Sequence, residues 1–125
     1  MNKFQKIIIC LFSIMATAAI SQAGKFRTVI IDPGHGGKDN GGSYGRVYEK
    51  HLALDTSLRV DYLLRQKGYS TRLTRKSDVF ITLSKRAEIA NRYSNSIFVS
   101  IHYNYTYNKS IKGLETFYYT SRSKP

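Results

Sequence analysis

Cysteine is nearly absent from this chain of 125 residues: Cys10 is the only one. It lies within an apolar segment near the amino terminus, so the chain beyond that segment has no thiol. This excludes disulfides, a cysteine nucleophile and cysteine-based zinc sites together. Acidic residues are also scarce, 8 against 20 basic ones, giving a formal net charge of +12. There is no run of five or six basic residues of the kind that marks a nucleic-acid arm. From Arg27 onward no internal repeat, low-complexity tract or Pro- or Ser-rich linker occurs, which leaves a single domain as the economical reading. Familiar glycine-rich and nucleophile motifs are missing as well. Gly37-Lys38 is followed by Asp39, where a phosphate loop needs Ser or Thr. The spacing from Gly34 and Gly36 would require glycine at position 39 for a dinucleotide fingerprint. No Gly-x-Ser-x-Gly elbow presents a serine nucleophile.

The first residues read as a signal peptide. Lys3 and Lys6 form a basic start, Ile7 to Ile20 an apolar run, and Ser21-Gln22-Ala23 places small residues where a signal peptidase cuts. The run contains Ser13 and Thr17 and falls short of the roughly 20 residues that span a bilayer, so stable membrane insertion is not expected. The expected division is a signal peptide over 1–23 and one domain over 24–125, exported to the periplasm or cell wall. With Lys3 and Lys6 set aside the net charge falls only to +10. Such a charge favours polyanionic partners, and export turns the expectation from nucleic acid toward a cell wall bearing carboxylates and phosphates.

Beyond the signal, elements alternate. Thr28 to Ile31 reads as a buried strand stopped by Asp32-Pro33-Gly34. The stretch to Gly45, with its six glycines, reads as loop. Leu52 to Gln66 has helical spacing and ends in Lys67-Gly68. Tyr69 to Thr74 reads as a strand, Thr82 as the cap of a helix with Leu83, Ala87 and Ala90 on one face, Ile97 to Ile101 as a third strand and Gly113 to Thr120 as a fourth. The pattern predicts an α/β fold, a mainly parallel twisted sheet with helices on both faces. In such sheets ligands collect beyond the carboxyl ends of the strands, where His35 and His102 both fall.

Two histidines at one edge suggest a metal. Catalytic zinc takes three protein ligands and keeps a fourth position for water. Glu49, at the entry to the first helix, can face the same edge, although the helix dipole favours a glutamate there whatever its function. His51 is by composition an equally good ligand. Asp32 could accept a proton from the second ring nitrogen of a ligating histidine and fix its tautomer. Tyr103, Tyr105 and Tyr107 alternate after His102, a pattern that serves base or sugar stacking in some proteins and sheet packing in others.

The order of these residues resembles the zinc-dependent N-acetylmuramoyl-L-alanine amidases of the type 3 family. The resemblance is carried by Ile30-Ile31-Asp32-Pro33-Gly34-His35-Gly36-Gly37, Glu49-Lys50, Gly68, Leu73-Thr74-Arg75 with Asp78, Leu83 through Arg86 to Ala90-Asn91, Phe98-Val99-Ser100-Ile101-His102 with Asn104, and Gly113 to Tyr118. It implies that His35, Glu49 and His102 bind one zinc ion, in preference to His51. It also implies peptidoglycan as partner and hydrolysis of the amide between N-acetylmuramic acid and L-alanine, with a possible activator protein left unidentified. In the family the proton-carrying glutamate follows a late strand. The expectation is therefore the amino-terminal part of the catalytic domain, with a sheet incomplete at its carboxyl end and the catalytic glutamate beyond Pro125. Glu88 and Glu115 match other positions of the pattern. A non-catalytic peptidoglycan-binding protein that keeps the zinc site is the alternative.

Overall fold

The computed structural model describes residues 26–106, 108 and 110–118. The expected signal peptide over 1–23 and Tyr107 lie outside the described residues. Strand β1 spans Thr28–Pro33, β2 Ser43–Tyr44, β3 Val47–Tyr48, helix α1 Glu49–Gln66, β4 Ser70–Leu73, α2 Leu83–Asn91 and β5 Ser96–Ile101. Three strands form a sheet in the order β4-β1-β5, parallel throughout, and β2 and β3 form a small antiparallel hairpin. The hairpin sits inside the stretch expected to be loop, and Gly45, at a φ of 59°, turns it.

β1 is the central strand because it is apolar on both faces. Ile30 and Ile31 are completely buried, as a parallel strand covered on two sides requires. Its register sets the faces. Ile31 pairs with Leu73 and Val99, while Ile30 pairs with Arg72 and Phe98 and Asp32 with Ser100. Helix α1 covers the face of Val29, Ile31 and Thr71, where the Thr71 hydroxyl bonds Asp61. The small residues Ala53 and Ser57, both fully buried, let the helix approach closely. Helix α2 lies on the opposite face, tied to Asp32 through Arg86. Helices therefore lie on both faces, as the alternation of elements predicts.

Three features differ from expectation. Helix α1 begins at Glu49, ahead of Leu52, with no side-chain cap. Its first N–H groups are satisfied instead by the carbonyls of Gly42 and Asn40, at 2.8 and 3.2 Å, a tertiary cap that no local motif announces. Thr82 does cap α2, accepting from the Lys85 N–H at 3.2 Å, but Leu83, Ala87 and Ala90 face a cavity of about 660 Å³ against Phe98 and are not packed away. Arg86 is the buried residue of that helix. Gly113 to Tyr118 forms no strand, and positions 119–120 lie outside the described residues. A strand needs a ladder partner, and this segment has none among the described residues: Leu114, Phe117 and Tyr118 stand exposed. Among the described residues, no helix is long and apolar enough to cross a membrane.

Candidate metal centre

The carboxyl edge of the sheet gathers His35, Glu49 and His102. One ligand atom from each lies within 4.8 Å of the others. Glu49 Oε1 is 3.1 Å from His35 Nε2 and 3.0 Å from His102 Nδ1. The two imidazole rings meet edge to face, with centroids 4.9 Å apart. His51 points away, toward Asp78 at 3.6 Å and the ring of Tyr48. Two neighbouring residues at a helix start project in different directions, and only Glu49 projects over the loop.

Backbone geometry delivers each side chain. β1 ends at Pro33, and the Gly34 N–H continues its ladder to the Ile101 carbonyl at 3.0 Å, bringing His35 and His102 side by side. His35 itself adopts a left-handed φ of 58°, which a non-glycine residue holds only when its surroundings impose it. Two glycines make room. A Cβ on Gly34 would meet His102 Cε1 at 2.4 Å, and one on Gly41 would meet His35 Cδ2 at 2.5 Å and Glu49 Oε2 at 2.7 Å.

The Glu49 carboxylate is held at both oxygens. Oε2 accepts the Gly42 N–H at 2.7 Å and Oε1 accepts the Tyr103 N–H at 2.9 Å. Burial pushes this carboxyl up, but these two N–H donors and the neighbouring histidines outweigh burial and hold it below its ordinary range. Asp39 accepts from His35 Nδ1 at 2.9 Å, and that bond holds the Asp39 carboxyl below its ordinary range too. Glu49 alone is 8% exposed, so its charge resides in the protein.

Asp32 does not serve as expected. Its Oδ1 accepts from Thr74 at 2.5 Å and Arg86 at 2.6 Å, and its Oδ2 accepts from Ser100 at 2.8 Å. No histidine is among its partners, because β1 turns this side chain toward α2 while the chain reverses before His35. Asp39 takes the role the sequence suggested for Asp32, and its place four residues after His35 was the available signal. Tyr103 and Tyr105 make contacts of packing and support. The Tyr103 hydroxyl lies 2.5 Å from Thr56 Oγ1, and the Tyr105 ring lies 6.0 Å from that of Tyr44.

A layer of cations lies behind the loop. Arg86 donates to the carbonyls of Pro33, His35 and Ile81 besides Asp32. Arg75, 3% exposed, donates to the carbonyls of Pro33, Gly34, Lys50 and Ser77, and burial together with nearby Arg86 pushes its guanidinium below its usual pKa. Lys50 reaches the Gly37 carbonyl at 2.7 Å and Asp78 at 2.9 Å, while Asp78 accepts the Gly37 N–H at 2.7 Å. A Cβ on Gly36 would come 2.2 Å from the Val79 carbonyl, so Gly36 and Gly37 lie flush against this segment.

The donor set fits a zinc ion. A tetrahedral zinc with ligands at about 2.0–2.1 Å separates its donor atoms by roughly 3.3 Å, close to the spacing from Glu49 to either histidine. Two neutral imidazoles and a carboxylate are a ligand set used by hydrolytic zinc sites.

The fold and this edge define an α/β protein with a candidate metal centre beyond the carboxyl ends of a parallel sheet. The chain belongs to the N-acetylmuramoyl-L-alanine amidase family, which it matches over residues 29–125. Among its relatives is N-acetylmuramoyl-L-alanine amidase AmiA of Escherichia coli, 40% identical over 103 residues, covering 81% of this chain and 35% of the relative. Of solved structures, the amidase AmiC2 of Nostoc punctiforme superposes with a TM-score of 0.62 at 46% identity, covering 69% of this chain and 48% of that one. The catalytic domain of the amidase CwlV from Bacillus (Paenibacillus) polymyxa gives 0.58 at 38% identity, covering 63% of this chain and 46% of that one. The chain thus spans about a third of the curated relative and about half of the solved ones.

Proposed function

We propose that His35, Glu49 and His102 hold one zinc ion, and that the site serves hydrolysis of the amide between N-acetylmuramic acid and L-alanine in peptidoglycan outside the cytoplasm. The observation that carries this reading is the convergence of two imidazoles and one preorganised carboxylate at the carboxyl edge of a parallel sheet, in a member of the amidase family. Bound zinc supplies a Lewis acid for the scissile carbonyl and a water of lowered pKa. The chain's own residues prepare for that. Asp39 holds the Nδ1 proton of His35, which leaves Nε2 free as a donor, and the Gly42 and Tyr103 N–H groups fix the Glu49 carboxylate without using its capacity for a cation. The basic surface favours approach to an anionic wall polymer.

A second reading, a wall-binding protein that keeps the metal site without catalysis, draws support from the other glutamates. Glu88 pairs with Lys85 and Arg92, and Glu115 accepts from Asn104 at 3.0 Å. Neither belongs to the group around His35. Zinc content and digestion of purified peptidoglycan separate the readings. An amidase binds one zinc per chain and releases stem peptides with a free L-alanine amine, and His35→Ala abolishes both. Cosedimentation with peptidoglycan without peptide release supports wall binding alone. Absence of zinc uptake overturns the metal site in either form.

A further inference from the structure

Arg75 is the buried group that touches the backbone beside two of the three candidate ligands. Its Nη2 donates to the carbonyl of Gly34 at 2.7 Å, the residue immediately before His35, and to the carbonyl of Lys50 at 2.9 Å, the residue immediately after Glu49. The same nitrogen therefore joins the end of β1 to the first turn of α1. Its Nε fixes the Pro33 carbonyl at 3.1 Å, and Nη1 reaches back to Ser77 at 3.1 Å, which anchors the guanidinium in its own loop. Besides this bridge, the loop and the helix start are connected by Lys50 Nζ bonded to the Gly37 carbonyl, by the Glu49 and Lys50 N–H groups bonded to the carbonyls of Gly42 and Asn40, and by the Gly42 N–H bonded to Glu49 Oε2.

We infer that Arg75 is a positioning residue for the metal centre, setting the separation of His35 from Glu49 through the carbonyls of Gly34 and Lys50. Three physical points support this. The acceptors flank the ligands directly, so a shift of the guanidinium moves both side chains. The guanidinium is rigid and planar, with donors in a fixed fork, so it defines the distance between the carbonyls it joins; a lysine ammonium on a flexible stem cannot. And His35 is held in a left-handed conformation, which needs outside restraint on its neighbouring peptide groups. Arg86 restrains the His35 carbonyl, whereas Arg75 joins the residue before His35 to the residue after Glu49.

The proposal rests on the reading of His35, Glu49 and His102 as a zinc site, and its test separates the two. Zinc affinity of the full 125-residue chain is measured by competition with a chromophoric chelator, alongside the Tm of the metal-free protein and the visible spectrum of the cobalt-substituted form. Arg75→Lys, which keeps a buried cation and most of the stem, is expected to weaken zinc binding by about 10- to 100-fold and to change the cobalt spectrum. Arg75→Met is expected to weaken it at least as much. Thr71→Val, which removes the hydroxyl bonded to Asp61 on the α1 face of β4, serves as the destabilised comparison and is expected to keep the parent affinity. Zinc affinity of Arg75→Lys within twofold of the parent overturns the positioning role, as does an equal loss in Thr71→Val. If the unaltered chain takes up no zinc, the metal site itself falls and the inference falls with it.

Discussion

Asp39 Oδ2 lies 2.9 Å from Nδ1 of His35 and so decides which face of that imidazole is free. With the Nδ1 proton committed to the carboxylate, Nε2 is left directed at Glu49. Partners of this kind raise ligand basicity and fix ring orientation. Asp39→Asn is expected to weaken zinc binding by about 10- to 100-fold while leaving the fold intact, read as chelator competition beside an unchanged far-ultraviolet circular dichroism spectrum. Unaltered affinity would show that the contact is incidental.

Gly41 and Gly45 share a left-handed backbone, with φ of 66° and 59°, but have different surroundings. A Cβ at Gly41 collides with His35 and Glu49, whereas at Gly45 it meets nothing within 4 Å. Gly45→Ala is expected to lower stability by about 1–2 kcal/mol through backbone strain alone, with zinc affinity unchanged. Gly41→Ala adds displacement of two of the proposed ligands and is expected to abolish zinc binding. Urea denaturation and zinc titration of the two variants check the pair.

Asp32 and Arg86 form the buried ion pair of the sheet, 2.6 Å apart and each under a tenth exposed. Removing one partner leaves the other charge uncompensated, so Asp32→Ala is expected to destabilise the protein by about 3–5 kcal/mol. Denaturant unfolding measures it. A loss below about 1 kcal/mol would refute the assignment of Asp32 as the group that neutralises Arg86.

Asp78 is held down to about 2 by Lys50, with help from the Gly37 N–H and His51. A depressed carboxyl adds stability that is fully present above the unfolded pKa near 3.8 and is lost as pH falls through the folded value near 2. Between about pH 4 and pH 2 the parent should therefore lose Tm more steeply than Asp78→Asn. Parallel Tm curves over that interval would refute the assignment.

The sequence made the frame legible because β1 and β5 are apolar and β-branched, with a helical period between them. Those patterns put His35 and His102 at one edge, and the family resemblance selects Glu49 over His51. What escaped was held by tertiary contact. The start of α1 at Glu49 depends on carbonyls of Asn40 and Gly42, and no propensity encodes them. Asp32 looked suited to a histidine because it is three residues away, but strand alternation sends it to Arg86. Arg75 and Arg86 enter the sequence reading only as members of the family pattern, and burial against the carbonyls of residues 33 to 35 is what gives them their roles. Gly113 to Tyr118 has a strand's composition, yet composition supplies no ladder partner.

The pairing of β1 also fixes an order of events. Both its neighbours come later in the chain, Leu73 and then Val99 opposite Ile31. His35 leaves the ribosome with the first strand, and the imidazole it must face arrives with the strand most distant from it in the sheet's sequence. Closing so long a loop is the slow, entropically opposed step of such a topology. The paired histidines thus come together only when the longest-range contact among the described strands has been made. Metal uptake during refolding should accordingly trail the growth of helix signal, with the delay measuring the time β5 takes to find its place.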